Sequence, residues 1–219
     1  ELTYKEIYGQ PVSFQAVNDT LDTIFKTLDE VFAEKYDEVI FTGCGTSLYL
    51  AQASAHAFST CTGISAKGMC CSELYYFPET YVGNGKKVLV VPMTRKSYTT
   101  EVRMAIDKVR SYPGVKSLAI TCDPDSSKYN DYMLLSPETP EDSVIMTRSF
   151  TSMIYLAVVM SYYVGGKKEK IEQLKDYAAN AESFLKATDE MAKKIVAEHP
   201  ECNLFITLGQ GINYGIANE

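Results

Sequence analysis

The sequence of 219 residues lacks the basic runs, long apolar runs and signal-peptide core that are typical of proteins that bind nucleic acid, span membranes or are secreted. It has no basic run, and its net charge of -7 provides no clustered Lys and Arg to neutralise a phosphate backbone, so we expect no nucleic acid as a partner. The longest apolar run, around residues 153–159, is too short to span a bilayer. Residues 1–10 are charged and amphipathic and have no signal-peptide core. We therefore expect a cytoplasmic protein with no membrane partner.

Metal-ligand spacing is also missing. The six cysteines are Cys44, Cys61, Cys70, Cys71, Cys122 and Cys202. No pair has CxxC spacing, and only His56 and His199 could add imidazole ligands. This pattern favours free thiols in a reducing compartment, with a zinc site as the alternative.

Short apolar runs alternate with helical patterns along most of the chain. The runs that predict strands are residues 38–42, 65–71, 87–93, 115–121 and 132–135. Helical spacing covers residues 12–35, 48–59, 73–77, 99–110, 148–163 and 168–197. Strands that are apolar along their whole length indicate a parallel sheet covered on both faces. We predict a three-layer α/β/α sandwich with a five-stranded parallel sheet, in which ligands bind beyond the carboxyl ends of the strands.

The pattern restarts near the end of the chain. Residues 202–208 predict a strand, 209–211 a glycine turn and 212–219 the start of a helix, in the order already seen from residue 39. We therefore divide the chain into an N-terminal helical arm (1–36), a first domain (37–200) and the start of a second, truncated domain (201–219). Since the chain ends in the first turns of a helix, we expect it to be a fragment of a longer protein.

Three hydroxyl-rich loops stand at strand ends or helix starts: residues 43–47 (GCGTS), 94–101 (TRKSYTTE) and 147–152 (TRSFTS). Glycines allow the backbone to approach a ligand, and a helix N-terminus favours an anion. The first loop lacks the GKS/T ending of a Walker loop and the last glycine of a dinucleotide fingerprint. Each loop alone also fits ordinary helix capping, with Ser47 as the N-cap of the first. Together the loops favour a phosphate site.

These motifs resemble the three ligand loops of SIS (sugar isomerase) domains, through GCGTS at 43–47, TTEV at 99–102 and TRSFTSM at 147–153. Two segments resemble the isomerase half of glucosamine-6-phosphate synthase, namely residues 5–11 (KEIYGQP) and 72–74 (SEL). Residues 141–153 look closer to the tagatose-6-phosphate ketose/aldose isomerase branch. The last segments, residues 208–211 and 217–219, are similar to both. The resemblance covers essentially the whole chain and implies the flavodoxin-like SIS fold.

The resemblance also implies roles for individual residues. The implied substrate-binding residues are Gly45, Thr46, Ser47, Thr94, Lys96, Thr99, Val144 and Thr147. Lys96 stands where the family usually has a serine, and Ser97 where it has a glycine, so Lys96 either adds a cation to the phosphate site or blocks the pocket. Glu219 matches a family glutamate proposed to move protons around C1 and C2, which makes it the candidate catalytic residue. The family's other catalytic groups match positions past Glu219, so the chain is expected to lack most of them.

The activity implied by the resemblance is aldose/ketose isomerisation or deamination of a 6-phosphorylated sugar or amino sugar. It would proceed through an enediol or enolamine, need no metal or organic cofactor, and take place in a homodimer. Three alternatives stay open: a fructosamine-6-phosphate deglycase, a non-catalytic phosphosugar sensor, and an α/β domain without a sugar site. The altered second loop favours the sensor.

Overall fold

The computed structural model describes residues 1–83, 85–137, 139 and 141–219. The helices are α1 (Leu2–Tyr8), α2 (Gln10–Asp19), α3 (Leu21–Val31), α4 (Thr46–Thr62), α5 (Cys71–Tyr76), α6 (Pro78–Val82), α7 (Thr100–Val109), α8 (Arg148–Val164), α9 (Lys168–Glu198) and α10 (Ile212–Asn218). The strands are β1 (Glu38–Gly43), β2 (Ala66–Cys70), β3 (Val88–Thr94), β4 (Val115–Thr121) and β5 (Tyr132–Leu135), and a short 3-10 helix (Pro124–Lys128) precedes β5.

The five strands form one parallel sheet in the order β2-β1-β3-β4-β5. Successive side chains of a strand point to opposite faces, so each central strand contributes to two cores. Val39 and Phe41 of β1 pack with α2, α3, α4 and α8, whereas Ile40 packs with α5 and α7 on the other face. The predicted three-layer sandwich with a five-stranded parallel sheet is therefore confirmed.

The N-terminal arm differs from its prediction as a single helix over residues 12–35. It contains α1, α2 and α3, and the helical conformation is interrupted between α2 and α3 at Thr20. The Thr20 hydroxyl donates to the carbonyl of Val17 at 3.0 Å, which competes with continuation of the helix. Because Phe14 and Val17 before the break and Leu21 after it all enter the same core, the apolar spacing continued across the break and concealed it.

The predicted strand over residues 202–208 does not form. A β-strand needs a hydrogen-bonded neighbour, and none of the residues that the structure describes pairs with this segment. Its apolar side chains Leu204, Phe205, Ile206 and Leu208 are exposed. The glycine turn and helix that follow do form, since α10 returns to pack on α4.

The longest helix, α9, has 31 residues and matches its prediction over 168–197 to within one residue. It buries only Ile171, Ala178 and Ala181 and is charged over much of its length. Within the described ranges, neither α9 nor another helix has the length and apolar character that crossing a bilayer would require.

Candidate functional site

The strand order places a cavity between the loops that follow β1 and β3. The chain leaves β1 towards β2 on one side and leaves β3 towards β4 on the other, so the two loops diverge at the carboxyl edge of the sheet. The cavity between them measures about 230 Å³. It is lined by Cys44, Thr46, Ser47, Met93, Thr94, Arg95, Lys96, Tyr98, Thr99, Val102, Val144 and Met146. The predicted binding residues Thr46, Ser47, Thr94, Lys96, Thr99 and Val144 are thus brought together, whereas Gly45 and Thr147 do not line this cavity.

Gly45, not Ser47, is the N-cap of α4, so the capping role considered for Ser47 is wrong. Gly45 has φ 54° and ψ -131°, a conformation that residues with a Cβ rarely adopt. The helix therefore begins at Thr46, and Ser47 lies in its first turn with 9% of its surface exposed. The Ser47 hydroxyl has no hydrogen-bond partner within the described residues, and the side chain lines the cavity. This hydroxyl and the start of α4 can therefore serve an anion.

The loop after β3 is held in place by hydrogen bonds that leave Lys96 at its surface. The Thr94 hydroxyl donates to the carbonyl of Lys96 at 2.8 Å, and Thr99 is the N-cap of α7 without a capping bond from its side chain. The exposed Lys96 ammonium lies 5.8 Å from the centroid of the Tyr98 ring and forms no ion pair with a described residue. Lys96 therefore offers a cation at the rim of the cavity.

Ser97, which stands where the family has a glycine, anchors this loop away from the cavity. Its backbone N–H donates to Asp123 Oδ2 at 2.9 Å, and its hydroxyl is 2.7 Å from that of Ser126. Burial raises the pKa of Asp123, but the N–H groups of Ser97 and Asp125 outweigh it and hold that pKa below its usual value. A glycine would keep the backbone bond to Asp123, so the contact that serine adds between the segments after β3 and β4 is the one between the hydroxyls of Ser97 and Ser126.

A carboxylate that the sequence analysis did not single out organises the third loop. The side chain of Glu141 is fully buried and accepts hydrogen bonds from the N–H of Thr147 at 2.7 Å and from the Thr147 hydroxyl at 2.9 Å. It also accepts from the N–H and hydroxyl of Ser149, and it forms an ion pair with Arg95 at 3.2 Å. Burial raises the pKa of Glu141, yet these hydrogen bonds outweigh it and leave the pKa lowered.

Thr147 is therefore engaged by Glu141, so its hydroxyl serves the protein rather than the cavity in this arrangement. The N-terminal arm supports the segment just before this loop, because buried Glu6 accepts hydrogen bonds from the N–H groups of Asp142 at 2.8 Å and Ser143 at 3.1 Å. The only sequence signal for Glu141 was a carboxylate shortly before a hydroxyl-rich helix start. Its partner Arg95 comes from another strand end, which spacing could not show.

Glu219 reaches the first loop through the packing of α10 on α4. The Thr46 hydroxyl donates to Glu219 Oε1 at 3.0 Å. Burial raises the pKa of Glu219, against a smaller lowering by that hydrogen bond. Thr46 lines the cavity and Glu219 does not, so the carboxyl of Glu219 is linked to that space through the Thr46 hydroxyl.

The turn before α10 repeats the turn before α4. Gly211 has φ 60° and ψ -130°, close to the values of Gly45. A Cβ at Gly209 would lie 2.1 Å from the carbonyl oxygen of Asn213, as a Cβ at Gly43 would lie 2.4 Å from that of Ser47. The internal repeat read from the sequence is thus present in the turn and the helix, though not in the preceding strand.

A second and larger cavity, of about 700 Å³, adjoins the first. The two share Arg95, Lys96 and Tyr98, and the second is also lined by Cys122, Asp123, Pro124, Thr139, Glu141 and Asp142. Because Lys96 belongs to both walls, its side chain can serve either space.

Sequence relatives match the chain over nearly its whole length. It is 25% identical to glutamine–fructose-6-phosphate aminotransferase (isomerizing) of Helicobacter pylori, with 98% of this chain and 38% of that protein covered. It is 27% identical to the enzyme of the same name from Pyrococcus horikoshii, with 98% and 36% covered. The chain therefore spans less than two fifths of the length of these relatives.

Solved structures share the fold. The C-terminal domain of glucosamine-fructose-6-phosphate aminotransferase from Francisella tularensis has a TM-score of 0.81 at 19% identity, covering 99% of this chain and 64% of that one. Tagatose-6-phosphate ketose/aldose isomerase from Escherichia coli has a TM-score of 0.80 at 19% identity, covering 100% and 62%. Glucosamine-6-phosphate deaminase from Thermotoga maritima has a TM-score of 0.72 at 22% identity, covering 94% and 63%. The SIS domain profile matches residues 33–164, which is more than half of the chain, and the protein belongs to the SIS domain family.

Proposed function

We propose that this chain is the phosphosugar-binding part of an enzyme that isomerises or deaminates a 6-phosphorylated sugar or amino sugar. The observation that carries this proposal is the cavity at the switch in strand order, which is lined by Ser47, Thr94, Lys96 and Thr99. Hydroxyls, a cation and the start of α4 are the groups that bind a phosphate ester. The family and the names of its relatives support a sugar as the remainder of the ligand.

For the chemistry we propose Glu219 as the group that moves a proton between C1 and C2 of the open-chain sugar. Its hydrogen bond with Thr46, which lines the cavity, supports this role, and burial raises the pKa of Glu219 from its usual value. Because the chain covers less than two fifths of the length of its relatives, we infer that the complete reaction takes place in a protein of their length, and we propose that this protein is a cytoplasmic homodimer. The exposed apolar side chains Val144 and Ile145 beside the cavity support an interface there.

The binding step is tested by thermal shift with hexose, hexosamine and fructosamine 6-phosphates against their unphosphorylated forms. A ligand that binds only the native state raises the melting temperature, so we expect a shift with the phosphorylated sugars alone. Ser47→Ala should weaken the effective ligand by about 1–2 kcal/mol, through loss of a hydrogen bond to a charged group. Ser111→Ala is the matched control, since Ser111 is exposed beyond the far end of α7 and bonds only locally to Lys108.

Equal shifts with phosphorylated and unphosphorylated sugars would contradict a phosphate site. Unchanged affinity in Ser47→Ala, with the control also unchanged, would remove Ser47 from it. The reaction itself is tested with the full-length protein, by aldose–ketose interconversion and by ammonia release. A full-length protein that binds the sugar phosphate but turns over none of these substrates would be the non-catalytic sensor, which the lysine at position 96 favours among the alternatives.

A further inference from the structure

Three cysteines from separate parts of the chain meet at the carboxyl ends of β1 and β2. The two strands are parallel neighbours with Gly43 opposite Cys70, so Cys44, the next residue after Gly43, arrives beside Cys70 and Cys71. The three Sγ atoms all lie within 4.8 Å of one another, and those of Cys44 and Cys71 are 2.7 Å apart. All three residues are free thiols. The sheet register, not sequence spacing, creates this cluster.

The cluster has the donor type and dimensions of a metal site. Thiolates are the ligands that thiophilic cations prefer. Zn²⁺ binds sulfur at about 2.3 Å in a tetrahedron, which sets neighbouring sulfurs about 3.8 Å apart. Small rotations of the side chains about their Cα–Cβ bonds bring sulfurs that already lie within 4.8 Å of one another to that spacing.

One side of the cysteine cluster is buried in the core, and the other side is accessible to solvent. Cys71 is fully buried against the core beneath α5 and α7, whereas Cys44 and Cys70 are partly exposed. Cys44 also lines the 230 Å³ cavity. An ion thus has a path to the sulfurs, and a water has room to take the fourth position of a tetrahedral ion.

Charge at the cluster favours a divalent ion. A divalent cation would replace the thiol protons of Cys44, Cys70 and Cys71, so the occupied cluster would carry three thiolates. The Ser72 hydroxyl donates a hydrogen bond to the Cys70 sulfur at 3.2 Å. The carboxylate of Glu101 adds negative charge near Cys44. Two positive charges on the ion offset this excess better than one.

We propose that Cys44, Cys70 and Cys71 form a three-thiolate site for a thiophilic divalent cation, with Zn²⁺ as the ion that fits best. The site lies behind the first ligand loop, because Cys44 directly precedes Gly45 and the start of α4. A bound ion would hold β1, β2 and this loop together. The argument for this site does not rest on the proposed function.

The experiment uses Co²⁺ as a spectroscopic probe, since thiolate ligation produces an intense sulfur-to-cobalt charge-transfer band. The reduced protein is titrated without oxygen in a Cys202→Ser background, because Cys202 forms an exposed group with His199 and Glu201 that could also bind the ion. We expect one equivalent of Co²⁺ to give the band and Zn²⁺ to displace it.

Cys70→Ser is the main variant, because a partly exposed position tolerates this change and circular dichroism can verify the fold. It should lower the band intensity and weaken Co²⁺ binding by at least about tenfold. Even the loss of a residue that only hydrogen-bonds to a metal ligand lowers metal affinity by about tenfold or more, and Cys70 is a proposed ligand itself. Cys44→Ser should act in the same way, and Cys61→Ser, a partly exposed cysteine outside the cluster, should leave the titration unchanged. Absence of the band in the Cys202→Ser protein would overturn the proposal, as would titrations of Cys70→Ser and Cys44→Ser that match their background.

Discussion

Replacing Glu141 with glutamine should destabilise the protein far more than one surface charge does. The fully buried carboxylate of Glu141 accepts hydrogen bonds from Thr147 and Ser149 and pairs with Arg95 at 3.2 Å. Glutamine keeps the shape but removes the charge, and its NH₂ group faces donors where the carboxylate had acceptors. Breaking a buried ion pair costs about 3–5 kcal/mol. Because Arg95 is 22% exposed and can recover water, we expect the lower end, about 3 kcal/mol.

The assay is thermal and urea unfolding of Glu141→Gln beside a matched control, Glu182→Gln. Glu182 makes only an exposed ion pair with Lys186 at 2.7 Å, so its loss should leave the melting temperature nearly unchanged. For a chain of this size a loss of about 3 kcal/mol lowers the melting temperature by about 6–12 °C. Equal melting temperatures for the two variants would refute the role given to Glu141.

The pH dependence gives a second test of the same residue. The pKa of Glu141 is lowered in the folded protein, so its contribution to stability is present above the unfolded value of about 4.3 and is lost as the pH falls through the folded pKa. Glutamine cannot titrate. The difference in unfolding free energy between the wild type and Glu141→Gln should therefore be constant near neutral pH and shrink below about pH 4.3. A difference that does not change with pH would show that charge is not the cause.

Three further predictions concern the loops. Lys96→Ser should weaken binding of a sugar phosphate by about two- to fivefold and reduce its salt dependence, because an exposed cation is lost; tighter binding in calorimetry would instead show that Lys96 obstructs the cavity. Gly45→Ala should lower the unfolding free energy by about 1–2 kcal/mol in urea titrations, because φ 54° is costly for a residue with a Cβ, and no loss would contradict the assigned backbone. Thr46→Val should raise the pKa of Glu219 further, since the hydrogen bond that lowers it is removed while burial remains; an NMR titration in which that pKa stays constant or falls would exclude the contact.

By itself the sequence determined the layers of this protein and the positions of its hydroxyl-rich loops. Strands such as Val88–Thr94 are apolar on both faces, and only a covered parallel sheet accepts that pattern, so the fold class followed from composition and order. The hydroxyl-rich loops and the repeated glycine turn could also be read directly, because a positive φ at Gly45 and Gly211 restricts the residue type at those positions. These are local properties, and local pattern is sufficient to predict them.

Only the tertiary structure decided which of these groups become neighbours. The strand order brought the loops of residues 43–47 and 94–101 to one cavity, and the pairing of β1 with β2 brought Cys44 to Cys70 and Cys71. The ion pair of Arg95 with Glu141 likewise joins two loops that lie 46 positions apart. The segment 202–208 shows the opposite case, since its β pattern produces no strand without a hydrogen-bonded neighbour among the described residues. Contacts between distant parts of the chain depend on how whole elements pack, and the spacing of residues along one element carries no information about them.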